Sequence, residues 1–191
     1  MRKQIMISVK ILLSLSLITG IIYPLLITGI ADLLFKNKAD GSIIKINDHP
    51  VGSKLIGQAF NSSAYFWPRP SMNGYNPLPS GGSNLSLTNK KLKDQVSVNE
   101  KYFIEANDLE QETRVPPEML FNSGSGLDPH ISPESAFLQV DRIVRARNFS
   151  ANQRKELLAL ISKYTEEPQF NILGQERINV FVLNLELDKI K

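Results

Sequence analysis

The run from Ile11 to Ala31 constrains this chain more than any other feature: 21 consecutive residues carry no charge and are rich in Ile and Leu. At about 1.5 Å of rise per residue, a helix of that length covers the roughly 30 Å hydrocarbon core of a bilayer. Gly29-Ile30-Ala31 matches a small-x-small cleavage pattern. The apolar part of a signal peptide, however, usually spans only about 7–15 residues. The length therefore predicts a retained transmembrane helix over residues 11–31, with a short segment 1–10 before it and one domain, 32–191, after it. Arg2, Lys3 and Lys10 precede the span, whereas Asp32, Lys36, Lys38 and Asp40 nearly cancel beyond it. The positive-inside rule then places the N-terminus in the cytoplasm and the domain on the outer face of the plasma membrane. Ser16, Thr19 and Gly20 share one face of the span, and Ser16 and Gly20 form a small-xxx-small pair that lets another helix approach. A lone lipid-facing anchor is the plainer alternative. Pro24 is tolerated in a membrane helix where neighbouring groups re-satisfy the freed carbonyl.

Charge outside the span is almost balanced. The chain has 22 basic and 19 acidic residues; setting aside Arg2, Lys3, Lys10 and Asp32 leaves 19 against 18. A domain so balanced has no electrostatic footprint for nucleic acid. The absence of cysteine excludes disulfides, thiol catalysis and thiolate-bound zinc. His49 and His130 are the only imidazoles.

Within the domain, Ser42–Ile46 and Val51–Ile56 are β-prone runs around the turn cluster Asn47-Asp48-His49-Pro50, which predicts a hairpin. Tyr65 to Asn84 follows, with four prolines, three glycines, four aromatics and no periodicity. Loops of that length are uncommon and often functional. Thr88 is placed to cap a helix to about Ala106, with Leu92, Val96, Phe103 and Ala106 on one face. Ser132 with Pro133 opens a second helix carrying Ala136, Val140, Ile143, Val144 and Arg147 on one stripe. Ser150 and Gln153 form a capping box for a third, which presents Leu157, Leu158, Leu160, Ile161 and Tyr164 and stops at Pro168. Ile178–Leu187 reads as a central strand, apolar on both faces. Two strands, about three helices and a final strand predict an α+β domain with one small sheet.

No catalytic constellation is legible. Asp128-Pro129-His130 supplies a carboxylate and an imidazole, but Asp-Pro is a common turn former and His130 lies two residues before a helix cap. No nucleophile elbow and no paired histidines accompany them. Ser80-Gly81-Gly82-Ser83-Asn84 exposes successive backbone N–H groups of the kind that cradle phosphate, yet it lacks the Lys-Ser/Thr of a phosphate loop and reads first as a turn. Arg142, Arg145 and Arg147 read as a solvated surface with one or two ion pairs. An anchored extracytoplasmic hydrolase, or a small-molecule-binding protein with an enclosed apolar pocket, are the rival readings.

Taken in order, the motifs resemble one family. Leu17-Ile18-Thr19-Gly20 with Tyr23-Pro24-Leu25, Val51-Gly52-Ser53, Leu55-Ile56-Gly57-Gln58 with Phe60, and Tyr65-Phe66-Trp67-Pro68-Arg69-Pro70-Ser71 begin the series. Ser80–Leu85, Ser123–Pro133, Arg145-Ala146-Arg147-Asn148, Leu173-Gly174-Gln175, Asn179-Val180, Leu183-Asn184 and Leu187-Asp188 complete it, and the match is loosest over Met72–Pro79. Their order and spacing resemble KdpC, the C subunit of the Kdp potassium-importing P-type ATPase. That resemblance implies three partners: a potassium-selective channel-like subunit, a P-type ATP-hydrolysing subunit and a small single-span subunit. It implies a non-catalytic accessory role described as a catalytic chaperone, in which ATP is met through the hydrolysing subunit and Ser80, Gly81, Gly82, Ser83 and Asn84 contact nucleotide. The flanking charges oppose direct contact, because they put the domain outside while ATP is cytoplasmic. An indirect role is the better expectation: stabilising the complex, with no covalent cofactor and no metal. Ser16 and Gly20 in the span, and Tyr65, Trp67 and Arg69 in the aromatic loop, are the expected partner-interface residues.

Overall fold

Pro24 shapes the N-terminal helix of the computed structural model, which describes residues 1–190. Proline has no N–H, and its ring clashes with the carbonyl one turn back. The chain responds with a π turn: α1 (Arg2–Leu17) passes through Ile18–Ile22 into α2 (Tyr23–Leu34), and the Tyr23 N–H bonds to the Ile18 carbonyl. The resulting 33-residue helix, Arg2–Leu34, extends the expected span at both ends, and no residue of α1 or α2 is buried. Gly20 has open space around it, and Thr19 Oγ1 donates to the Leu15 carbonyl at 2.8 Å.

This helix belongs to a first unit, Met1–Ser53, together with α3 (Lys36–Ala39) and a hairpin of β1 (Ile43–Ile46) and β2 (His49–Ser53). The hairpin is as expected, but its turn is tighter. Asn47 and Asp48 both take positive φ, the pattern of a two-residue type I′ turn, so His49 and Pro50 lie in the strand. Leu55 and Ile56 lie outside it. A bulge between Ile44 and Lys45 accommodates Pro50, which cannot donate to the ladder.

The second unit begins at Lys54 and holds α4 (Lys90–Asn107), α5 (Pro117–Leu120), β3 (His130–Ile131), α6 (Pro133–Phe137), α7 (Val140–Arg147), α8 (Ala151–Tyr164), β4 (Ile178–Asn179) and α9 (Val180–Leu187). Phe103, Val140, Ile143, Leu157, Ile161, Leu183 and Leu187 form its centre. Caps follow the sequence closely. Ser132 and Ser150 cap α6 and α8, the latter with both arms of the capping box, whereas Asn89 rather than Thr88 caps α4.

Three expectations fail here. The second helix is two: α6 and α7 are separated at Leu138-Gln139, and Gln139 is wholly buried at the break. The single sheet is two separate ladders, β1 with β2 and β3 with β4, and β4 pairs only His130↔Asn179 and Ile131↔Ile178. Ile178–Leu187 is not a strand. Only Ile178–Asn179 is extended; Asn179 then caps a helix by accepting from the Val182 N–H at 3.1 Å. Val180, Leu183, Asn184 and Leu187 are buried, at the i, i+3, i+4, i+7 spacing of one helical face. Intrinsic β-preference of Val and Phe yields to that tertiary demand.

Candidate functional site

Ser62 to Trp67 has almost no regular structure, yet Phe66 is fully buried in the core. Buried backbone groups must find partners, and here side chains provide them. Asn184 on α9 clamps Phe66 at both ends, accepting from its N–H at 2.8 Å and donating to its carbonyl at 2.9 Å. Gln139 does the same for Trp67, at 2.7 Å and 3.3 Å. Arg142 donates to the Ser63 carbonyl at 2.7 Å and to Asn107 Oδ1 at 2.9 Å; Arg147 reaches the Ala64 carbonyl at 2.8 Å and Asp188 at 2.6 Å. The two amides take the place of a neighbouring strand. Arg142 is therefore a buried structural cation, contrary to its reading as solvated. Burial lowers its pKa to about 10, still protonated at neutral pH, while the nearby Tyr102 favours the charge. Arg145 alone of the three remains largely exposed, paired with Asp108.

This clamp holds an aromatic platform. The Trp67 ring stacks with Tyr102 at 5.4 Å, and the Arg142 guanidinium lies over it, 3.8 Å from its centroid. Beside it runs a groove of about 210 Å³ bordered by Phe60, Pro70, Tyr75 and Tyr102. The Tyr75 hydroxyl donates to the Arg69 carbonyl at 2.7 Å, and burial pushes its pKa up to about 12. Tyr65 faces Asp188 through its hydroxyl at 3.2 Å and stacks under Arg147. Tyr65, Trp67 and Arg69 thus have partners within the domain, and only part of each side chain meets solvent.

Arg69 leads to a second cleft, of about 340 Å³, lined by Arg69, Glu118, Asp128, His130, Ser132 and Arg177. Asp128 accepts from Arg69 Nη1 at 2.7 Å and from the His130 N–H at 3.0 Å, with His130 Nδ1 at 3.4 Å. Burial opposes its charge, but the hydrogen bonds from His130 and Arg69 outweigh burial and hold its pKa down to about 2. A general base needs a pKa near the working pH. Asp128 is held as a carboxylate at neutral pH, and its bond from the His130 N–H fixes a turn. Ser132 Oγ is occupied in capping α6. Among the described residues no group of three or more His, Asp or Glu is placed to hold a metal.

The glycine pair also has a structural partner. Gly81 N–H donates to the Ser125 carbonyl at 3.0 Å, and a Cβ on Gly82 would sit 2.9 Å from the Gly124 carbonyl oxygen. Ser80–Asn84 therefore lies against the Ser123–Gly126 loop, and Gly82 permits the close approach. Asn84 takes a positive φ before the turn into α4. Sequence reasoning missed Gln139, Asn184 and Asn107, which organise the platform. The available signal was a polar residue on an otherwise buried helical stripe, visible for Asn184 only once Ile178–Leu187 is wound as a helix.

Comparison with known proteins agrees with the motif series. The family model described as KdpC, the c chain of the K+-transporting ATPase, matches residues 5–189. A potassium-transporting ATPase KdpC subunit of Koribacter versatilis is 44% identical over 98% of this chain and 95% of its own length. That of Leptospira interrogans is 44% identical over 96% and 93%, and that of Mycobacterium tuberculosis 40% identical over the whole of both. The class is thus a subunit of a potassium-transporting ATPase. The chain belongs to the KdpC family.

Proposed function

We propose that the chain is a non-catalytic accessory subunit of a high-affinity, ATP-driven potassium importer, anchored by one span with its domain on the outer face. The observation that carries this is the helix Arg2–Leu34, long enough to cross a bilayer and buried nowhere by the rest of the chain. Arg2, Lys3 and Lys10 lie in its N-terminal part, ahead of the uncharged run Ile11–Ala31, which favours a cytoplasmic N-terminus. Its partners in this reading are the channel-like, ATP-hydrolysing and small single-span subunits. Ser16 and Gly20 offer a face for helix packing, and the platform around Tyr65, Trp67 and Arg69 offers a stiff docking surface on the potassium-selective subunit.

Assistance to ATP binding is indirect in this reading, exerted by stabilising the complex. Gly82 packed on Gly124 supports that preference, since it accounts for the glycine without a phosphate. Protease added to intact spheroplasts should remove the domain, and removal of the subunit should raise the ATP KM of the remaining complex. Full protection of the domain would overturn the topology, and an unchanged KM would overturn the chaperone role.

A further inference from the structure

Between α8 and β4 the chain folds back in a small, closed loop whose tip is apolar. Glu166 and Arg177 exchange both backbone hydrogen bonds, at 2.8 and 3.1 Å, and pair through side chains at 3.0 Å. Gln169 and Leu173 exchange two more at 2.9 Å, and the Ile172 N–H closes the turn onto Gln169 at 3.2 Å. So constrained, the loop presents Phe170 at 85% exposure, Ile172 at 81% and Leu173 at 60%. Three large apolar side chains held together at the surface by so constrained a loop call for an explanation.

The backbone sharpens the case. Phe170 and Asn171 both take positive φ, 56° and 57°, as the central pair of the turn. Asparagine tolerates that region; a bulky aromatic is strained there, and asparagine or glycine would serve the turn better. Strain of this kind persists where an interaction favours the residue. The tip is also preorganised, so little freedom is lost when it docks.

We propose that Phe170, Ile172 and Leu173 form a docking finger that inserts into an apolar recess, rimmed by basic residues, on another subunit of the transporter. Charge selects a protein over lipid. Glu166 and Arg177 cancel each other at the base of the loop, which leaves Glu167 and Glu176 as its uncompensated charges, so an anionic membrane surface would repel it. A basic rim would attract it. This rests on the reading of the chain as an assembly subunit.

The test uses the full chain in membranes that contain the other transporter subunits. A photo-crosslinking amino acid at position 170 should yield an adduct with a co-purifying subunit, whereas one at Val98, 66% exposed on α4, should not. Phe170→Asn keeps the turn and relieves its strain. It should leave the domain's Tm equal or higher while lowering co-purification at least tenfold, and Ile172→Asp should lower it likewise. Adducts only with lipid or with a second copy, no adduct, or variants that co-purify as the parent does would each overturn the finger while leaving the subunit reading intact. If the parent itself fails to co-purify with any transporter subunit, both fall.

Discussion

Two apolar runs in this chain, Ile11–Ala31 and Ile178–Leu187, are both rich in Ile or Leu and end in opposite environments. Both are helical, apart from the first two residues of the second run. The first has no buried residue; the second contributes Ile178, Val180, Leu183 and Leu187 to the core at 1% exposure or less. An apolar run states only that its side chains avoid water. Length tells a bilayer span from a core element, and the shape of a short core element is left to its neighbours.

That contrast can be broken in one protein. Trp67 is the sole tryptophan and sits on the clamp, so its fluorescence follows unfolding of the second unit. Leu183→Ala should destabilise that unit by about 3 kcal/mol through lost burial and a residual cavity. Leu26→Ala, at a residue 54% exposed in α2, should leave the same transition unmoved. Denaturant midpoints of the two variants in detergent check this; equal shifts would mean that the runs are not energetically distinct.

A somewhat smaller effect is expected from Asn184→Leu, which keeps the helix but strands the Phe66 N–H and carbonyl without partners. Each unsatisfied buried group costs about 1–3 kcal/mol, part of which the added apolar burial offsets, so a net loss of about 2 kcal/mol is expected. A neutral outcome would show that packing of the Phe66 ring, and not the clamp, holds the segment.

The smallest effect concerns Asp128. Its folded pKa of about 2 lies below the ordinary 3.8, so it stabilises the fold above about pH 4 and loses that contribution as pH falls toward 2. Asp128→Asn should cost no more than about 1 kcal/mol at pH 7, given its partial exposure to screening solvent, and should flatten the acid limb of the stability profile. An acid limb identical to the parent's would remove Asp128 from this role.

Features that depend on neighbours along the chain can be read from residue order alone. The bilayer-length span, the presence of a turn after Ile46 and the Ser132 and Ser150 caps are all local, and each was legible because its physics closes within a few residues. How buried backbone is satisfied depends instead on packing between segments distant in the chain. That Ser62–Trp67 would be served by Gln139 and Asn184 in place of a strand could not be read locally, because the partners lie 72 and 118 residues away. The same demand wound Val180–Leu187 into a helix: one face had to bury Val180, Leu183 and Leu187 while turning Asn184 onto Phe66. A strand, with alternate side chains on opposite faces, cannot put those four on one side.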